Sequence, residues 1–177
     1  MILKILIVIV IIMAIPFVVA IFTKKEYHVE KTVTINRPKS TVFDYICLLK
    51  NQDSFSVWAM MDPQMKKYFR GTDGNPGFVS GWESKNKKVG KGEQEIKKVT
   101  NGERIDYEIR FIEPFAGIAL ASMQTDSLSP DETRVKWQFD SRMKYPMNIM
   151  LFFMNMDKMV GNDLAKGLVN LKQVLEK

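Results

Sequence analysis

Two residue types are nearly missing from this chain, which has a single cysteine, Cys47, and a single histidine, His28. A structural zinc site, a disulfide framework and a Cys/His nucleophile pair each need more of these residues, so all three are excluded. Carboxylates are plentiful but lack the spacing of a calcium-binding loop, and no metal or other cofactor is expected. Cys47 lies inside an apolar run and reads as a buried, inert thiol. His28 opens an alternating run, where a half-exposed imidazole is a simpler reading than a catalytic one.

Aromatic residues are also absent from the most lysine-rich stretch, ESKNKKVGKGEQEIKKV, residues 83 to 99. The net charge of +6 admits an acidic partner. Here, however, Glu83, Glu93 and Glu95 interrupt the lysines and nothing offers a base a stacking platform, so nucleic acid is not expected as a partner. A solvated hairpin is the plain reading. If the stretch binds anything, anionic lipid headgroups fit better.

Charge is missing altogether from Ile5 to Phe22, ILIVIVIIMAIPFVVAIF, which Lys4 brackets on one side and Lys24 and Lys25 on the other. As a helix this run is about 27 Å long at about 1.5 Å per residue, close to the hydrocarbon thickness of a bilayer. Its Ile and Val content and Pro16 would be costly in water and are tolerated in lipid. Residues 1–23 are therefore expected to form a single-pass anchor, with the lipid bilayer as partner. The alternative is a cleaved secretory signal. Such signals have an apolar core of about 7 to 15 residues and a small-x-small cleavage site, which Val18, Val19 and Ala20 imitate poorly. Lys24, Lys25 and Lys31 outnumber Lys4 and the amino terminus, so the positive-inside bias leans towards a cytoplasmic domain.

The whole chain, 177 residues at 46% hydrophobic and 26% charged, has the composition of a folded globular protein. It has room for one sizeable domain, residues 24–177, and not for two. From Tyr27 the pattern alternates: Val29, Val33 and Ile35 share one face of a strand, interrupted by Lys31. Ser40 is a candidate N-cap for a helix in which Val42, Phe43, Ile46 and Leu49 recur at helical spacing to about Lys50. About six strands follow between Pro63 and Asp140. In RIDYEIRFI, residues 104–112, Ile105, Tyr107, Ile109 and Phe111 point one way and Arg104, Asp106, Glu108 and Arg110 the other. Val135, Trp137 and Phe139 repeat that pattern. Turn chemistry separates these runs at TDGNPG, SKNKKVGKG, TNGE, EPF and SPDET. From Pro146 to about Glu176, Ile149, Phe153, Met156, Val160, Leu164, Leu168, Leu171 and Leu175 make one continuous stripe, which predicts a single long helix. Strands followed by a segregated helix predict an α+β domain with its sheet wrapped around that helix.

The residues INRPKSTVFDYICLLKNQDSFSVWAMMDP, GFVSGWES, VGKGEQEI, ETRVKWQF and GNDLAKGLVNLKQVLEK, in this order, resemble the SRPBCC (START-related, helix-grip) superfamily, specifically its polyketide cyclase/dehydrase and lipid transport group. The resemblance covers about residues 26 to 177, everything after the expected anchor. It rests on the x-Pro-x-x-x-Val-Phe entry to the first helix, on Trp58 and Asp62-Pro63 in the connecting segment, and on Gly-Leu-x-x-Leu-Lys near the end. It implies a deep apolar cavity between a curved antiparallel sheet and the long C-terminal helix, used for lipids or other hydrophobic small molecules. Phe55 stands where similar sequences often have Trp, and Val57 where they often have Pro, which puts the cavity rim in question.

The segment MNIMLFFMNMDKMV, Met147 to Val160, carries five methionines and two phenylalanines against two charges. Its apolar arc is too wide to face one sheet. Methionine is flexible and polarizable, so a wall built from it can repack around different guests. This half of the helix is expected to line the cavity, and Leu164 to Leu175 to be ordinary core. The expected ligand contacts are Trp58, Trp82, Tyr107, Met150, Phe153, Met154 and Asp157. No catalytic constellation is visible. If the chain is instead a cyclase or dehydratase, Asp157, the one carboxylate in the apolar half of the helix, and Tyr107, on an inward strand face, are the candidate groups. A binding module for a hydrophobic ligand is favoured over an enzyme, and a protein-interaction module at the membrane is the third reading.

Overall fold

The computed structural model describes residues 1–177, the side chains of residues 2, 3, 8, 10 and 11 excepted. A helix α1, Ile2–Phe22, precedes strand β1, Glu26–Ile35. After β1 come α2, Lys39–Cys47, a 3-10 turn, Leu49–Ser54, and a single-turn α3, Val57–Met60. Six strands follow: β2 Lys66–Arg70, β3 Val79–Glu83, β4 Lys91–Thr100, β5 Arg104–Glu113, β6 Gly117–Ser129 and β7 Glu132–Arg142. The chain ends with a 3-10 turn at Met147–Ile149, α4 at Met150–Phe153 and the long α5 at Met156–Leu175. The seven strands form one antiparallel sheet in the order β1-β7-β6-β5-β4-β3-β2.

The expected α+β architecture is present: a curved antiparallel sheet holds the long C-terminal helix against its concave face. Alternation places the side chains as read. Ile105, Tyr107, Val135, Trp137 and Phe139 are buried on the inner face. Arg104, Asp106, Glu108 and Arg110 lie on the outer face, half-exposed. The pairing of β1 with β7, with Val29 opposite Phe139, brings the first strand beside the last and seats α5 mainly over β1. At one end of the sheet Val42, Phe43 and Ile46 of α2, with Leu49 and Phe55, close a dense core against Ile105, Met123, Val135, Leu168 and Leu171.

Three local expectations are corrected. Ser40 is not the N-cap of α2: it is exposed, and Pro38, with φ −56° and ψ 145°, holds that position, its ring fixing an entry that a hydrogen bond would otherwise hold. The helix stops at Cys47, short of Lys50, because the Asp73 carboxylate accepts from the backbone of Leu49 at 2.8 Å and Lys50 at 3.2 Å, capping a separate 3-10 turn. The final helix is not continuous. Met154 has φ −102° and ψ 126°, and Asn155 starts a new helix by accepting from Lys158 N at 3.0 Å through its side chain. The stripe of apolar spacing runs straight across this break.

On the outer face, Arg110 donates to Glu108 at 2.6 Å, Glu95 at 2.7 Å and Glu93 at 3.0 Å, and the Tyr68 hydroxyl donates to Glu93 at 2.7 Å. The Tyr68 hydroxyl and then Arg110 hold the Glu93 carboxyl below the ordinary range, and Arg110 and then Lys97 do the same for Glu95. Carboxyls lowered in the folded state contribute stability above their unfolded pKa and lose it as pH falls through the folded value. Arg110→Met is therefore expected to cost about 1 to 3 kcal/mol near neutral pH. The gap between the two melting temperatures should narrow on acidification below about pH 4. Thermal melts across pH test this; a gap that does not change with pH would contradict it.

Candidate ligand-binding cavity

A cavity of about 360 Å³ lies between the concave face of the sheet and the helices. It falls in the range of small-molecule sites, about 300 to 1,000 Å³. Its sheet wall is Trp82, Ile109, Phe111, Ala121, Trp137 and Phe139. Gln52, Ser56 and Trp58 close it on one side, and Val160 and Leu164 of α5 on the other. The space exists because α5 sits over β1, away from β3 to β5, while the floor carries a small residue at Ala121.

Aromatic rings keep the walls apart. Trp58 meets Trp137 edge-on with centroids 6.4 Å apart, and Trp82 meets Phe111 in the same manner at 6.5 Å. The Trp82 indole is fixed by its Nε1, which donates to Val89 O at 3.2 Å. Its ring lies beside Gly92, where a Cβ would come within 2.6 Å of Trp82 Cζ2. One rim is formed by Lys88, Val89, Pro114 and Phe115, with Phe115 74% exposed. At another edge Lys67 pairs with Asp53 at 2.7 Å.

The polar content of the wall is sparse. Gln52 is 8% exposed, and its Nε2 is buried without a hydrogen-bond partner. That nitrogen has no surface open to the cavity, and the same side chain meets the Tyr107 hydroxyl in the core, so Gln52 contributes only its remaining surface to the wall. Among the described residues no group of three or more His, Cys, Asp or Glu side chains converges to hold a metal ion.

Of the residues singled out from the sequence, Trp58 and Trp82 are in the cavity wall. Tyr107 is behind it, 1% exposed in the core, its hydroxyl donating to Ile46 O at 3.4 Å. Burial pushes the phenol well above its usual pKa, so it stays protonated and is no base. Met150, Phe153 and Met154 are not in the wall, because the break at Met154 and Asn155 turns the segment before α5 away, and Asp157 is not in it either. Phe153 and Met154 face a separate groove against Val19 and Phe22 of α1. Asp157 is exposed and pairs with Lys31 at 2.9 Å, across Gly161, so the lysine that interrupts the apolar face of β1 finds its partner on the helix. From the methionine-rich half only Val160 reaches the cavity, and Leu164, expected as plain core, lines it too. Cys47 is half-buried, its thiol pushed up by burial, in keeping with an inert role. Gln52 and Ser56 went unnoticed because they belong to a short polar stretch, KNQDSFS, with no period to show which side chains turn inward.

A family model described as polyketide cyclase/dehydrase and lipid transport matches residues 26–176. The chain belongs to this family. Solved structures share the helix-grip fold that the family uses. The Zhui aromatase/cyclase from Streptomyces sp. R1128 is 14% identical, with a TM-score of 0.60 over 85% of this chain and 94% of that one. A protein from Chromobacterium violaceum is 11% identical, with a TM-score of 0.59 over 85% and 97%. The Aha1 dimer from Colwellia psychrerythraea is 11% identical, with a TM-score of 0.58 over 85% and 96%. Likeness at this identity establishes the polyketide cyclase/dehydrase and lipid transport fold and not a reaction. No curated protein matches the sequence.

Val160→Trp should fill the cavity of this family member. It is expected to weaken binding of an apolar fluorescent probe by about tenfold or more, while shifting stability by less than about 1 kcal/mol. Met154→Trp, in the other groove, should leave probe binding unchanged. Probe titrations with parallel melts test the pair; the reverse pattern would return the methionine segment to the cavity.

Proposed function

We infer that this protein is a membrane-tethered binder, a carrier or sensor, of one small hydrophobic molecule or lipid held between sheet and α5. The observation that carries this reading is the cavity itself, enclosed by aromatic and aliphatic walls. Such a wall suits a largely apolar guest. Acid–base catalysis would need an acid or base inside the pocket with a partner to tune it. The carboxylates in the lining, Asp53 and Glu113, are at the exposed rim, and Asp53 is engaged by Lys67.

The tether is α1. Lys4–Phe22 is long and apolar enough to cross a bilayer, and among its described side chains only Ala20 is buried. A core helix would have its apolar surface covered, whereas Ile9, Ile12, Met13 and Phe17 are each half-exposed or more. In this reading residues 24–177 form the binding domain, and Lys24 and Lys25 favour the cytoplasmic side. The aromatase/cyclase neighbour supports a second reading, an enzyme acting on a hydrophobic substrate in the same cavity.

Competition against an apolar probe tests the assignment, using a long-chain ketone and an alkane of equal length. Both should displace the probe from the wild-type chain, and both should bind about tenfold more weakly to Val160→Trp. No binding of either, or unchanged binding to Val160→Trp, would contradict the reading.

A further inference from the structure

The strand register places four connections at one end of the sheet. Glu26 is opposite Arg142, so the α1–β1 junction and the segment after β7 lie together. Ala119 is opposite Ser141, and Phe111 opposite Gly117, which brings in the β5–β6 turn with Phe115. Lys91 is opposite both Glu113 and Glu83, which adds the β3–β4 hairpin with Lys85, Lys87 and Lys88. This is also the end where the cavity rim, Lys88, Val89, Pro114 and Phe115, meets solvent.

Its surface differs from that of the opposite end in two independent ways. Phe115, Phe152 and Phe153 are 74%, 71% and 78% exposed, and Met147 and Tyr145 are about half exposed beside them. The hairpin tip from Lys85 to Gly90 carries three exposed lysines and no carboxylate. The β4–β5 and β6–β7 turns at the far end carry Glu103 and Asp131 and no base, while the β1–α2 junction beside them carries Arg37 and Lys39. The cavity mouth is thus the end that joins exposed aromatic rings to a lysine-rich hairpin.

The joint to α1 is built rather than slack. Asn148 is fully buried, and its Nδ2 donates to Ala20 O at 2.6 Å and Thr23 O at 3.0 Å, two carbonyls at the end of α1 that the helix leaves unpaired. Met143 N donates to Lys25 O at 2.8 Å. Phe152 and Phe153 therefore lie alongside Val19 and Phe22, the last turn of α1, at the level where the apolar run gives way to lysine.

We propose that this end of the domain is a second contact with the bilayer. The α4 segment and Phe115 enter the acyl boundary, and Lys85, Lys87 and Lys88 lie on anionic headgroups, so the cavity mouth opens directly onto lipid. The proposal deepens the binder reading and rests on α1 being a membrane span. It assigns the source of the ligand: a bilayer lipid or lipid-dissolved molecule that slides past Phe115 without crossing water. Aromatic side chains with basic neighbours are what an interfacial surface requires. The bonded joint at Asn148 fixes that surface at the depth of the helix end.

Fluorescence quenching on the full chain in vesicles tests this. In a Cys47→Ser background, an environment-sensitive dye is attached to Phe115→Cys, Phe153→Cys, Asp131→Cys or Met13→Cys. The vesicles are phosphatidylcholine, with or without phosphatidylglycerol, and carry lipids with a spin label on the acyl chain. Dyes at 115 and 153 should be quenched roughly twofold or more above the dye at 131. Quenching at 115 should fall when phosphatidylglycerol is omitted, or when Lys85, Lys87 and Lys88 are replaced by Gln. Quenching at 13 with none at 115 and 153 would overturn the proposal and leave the span intact. Shielding of 153 from water without quenching would mean that a protein or a second copy covers it, and would overturn the proposal as well. Loss of quenching at 13, with the chain released by alkaline carbonate, would overturn the span and the proposal together while leaving the cavity reading untouched.

Discussion

Two glycines on one helix set the distance on which the domain depends. At Gly161 a Cβ would come within 2.7 Å of Lys31 Cε and 3.2 Å of Val29 Cγ1, and at Gly167 within 2.9 Å of Trp137 Cζ3. Without side chains at these points, α5 comes down onto β1 and β7 and stays there. The sheet curves on beyond the helix, and the concave surface of β3 to β6 is left for other residues to cover. Lys31 then reaches over Gly161 to Asp157, so the close approach also places an ion pair that ties the start of α5 to the sheet. A larger residue at Gly167 would press on the Trp137 ring and open the seam that now closes one side of the cavity, whereas at Gly161 it would first displace the end of Lys31 from Asp157.

The same fold divides the work between its two ends. Away from α1, leucines of α5 and the apolar face of α2 pack densely on Ile105, Met123 and Val135, which are fully buried. Towards the cavity, the covering elements are only a 3-10 turn and the single turn of α3, which leaves Met60 half-exposed and spans the gap with the Trp58 ring. Stability concentrated at one end lets the other stay partly empty, because an unfilled volume costs contacts that the dense half supplies. The covering segment 49–60 is the part of the wall with the fewest backbone ladders, so it is where the wall would give to accommodate a guest.

Much of this was legible in the sequence wherever a period governs it. Strict alternation located β5 and β7 and gave the correct inward faces, because a half-buried strand allows one pattern only. The order of elements and the residues from Ile35 to Pro63 pointed to the helix-grip fold. The failure in the last helix comes from a local bond that overrides a long-range pattern. Apolar spacing from Ile149 to Leu175 runs across Met154 and Asn155, yet one Asn side chain capping Lys158 N ends one helix and starts another. Met150, Phe153 and Met154 went astray with that break. The signal was present as an N-cap residue followed by an acid in the first turn, Asn155 and Asp157, and it was outweighed by the stripe. Lys31 looked like a flaw in β1 because its partner is far along the chain. Gln52 was hidden because a 3-10 turn has no hydrophobic period to set its inward positions apart.

The central claim is that the cavity beneath Trp58 and Trp82 holds one largely apolar molecule. Native mass spectrometry of the chain, extracted gently in a mild detergent from the cells that produce it, tests this most directly. The account predicts a peak with one bound small molecule or lipid, stripped at low collision energy and absent from the Val160→Trp variant. A chain that emerges empty under gentle release, or adducts that persist unchanged when the cavity is filled, would contradict it.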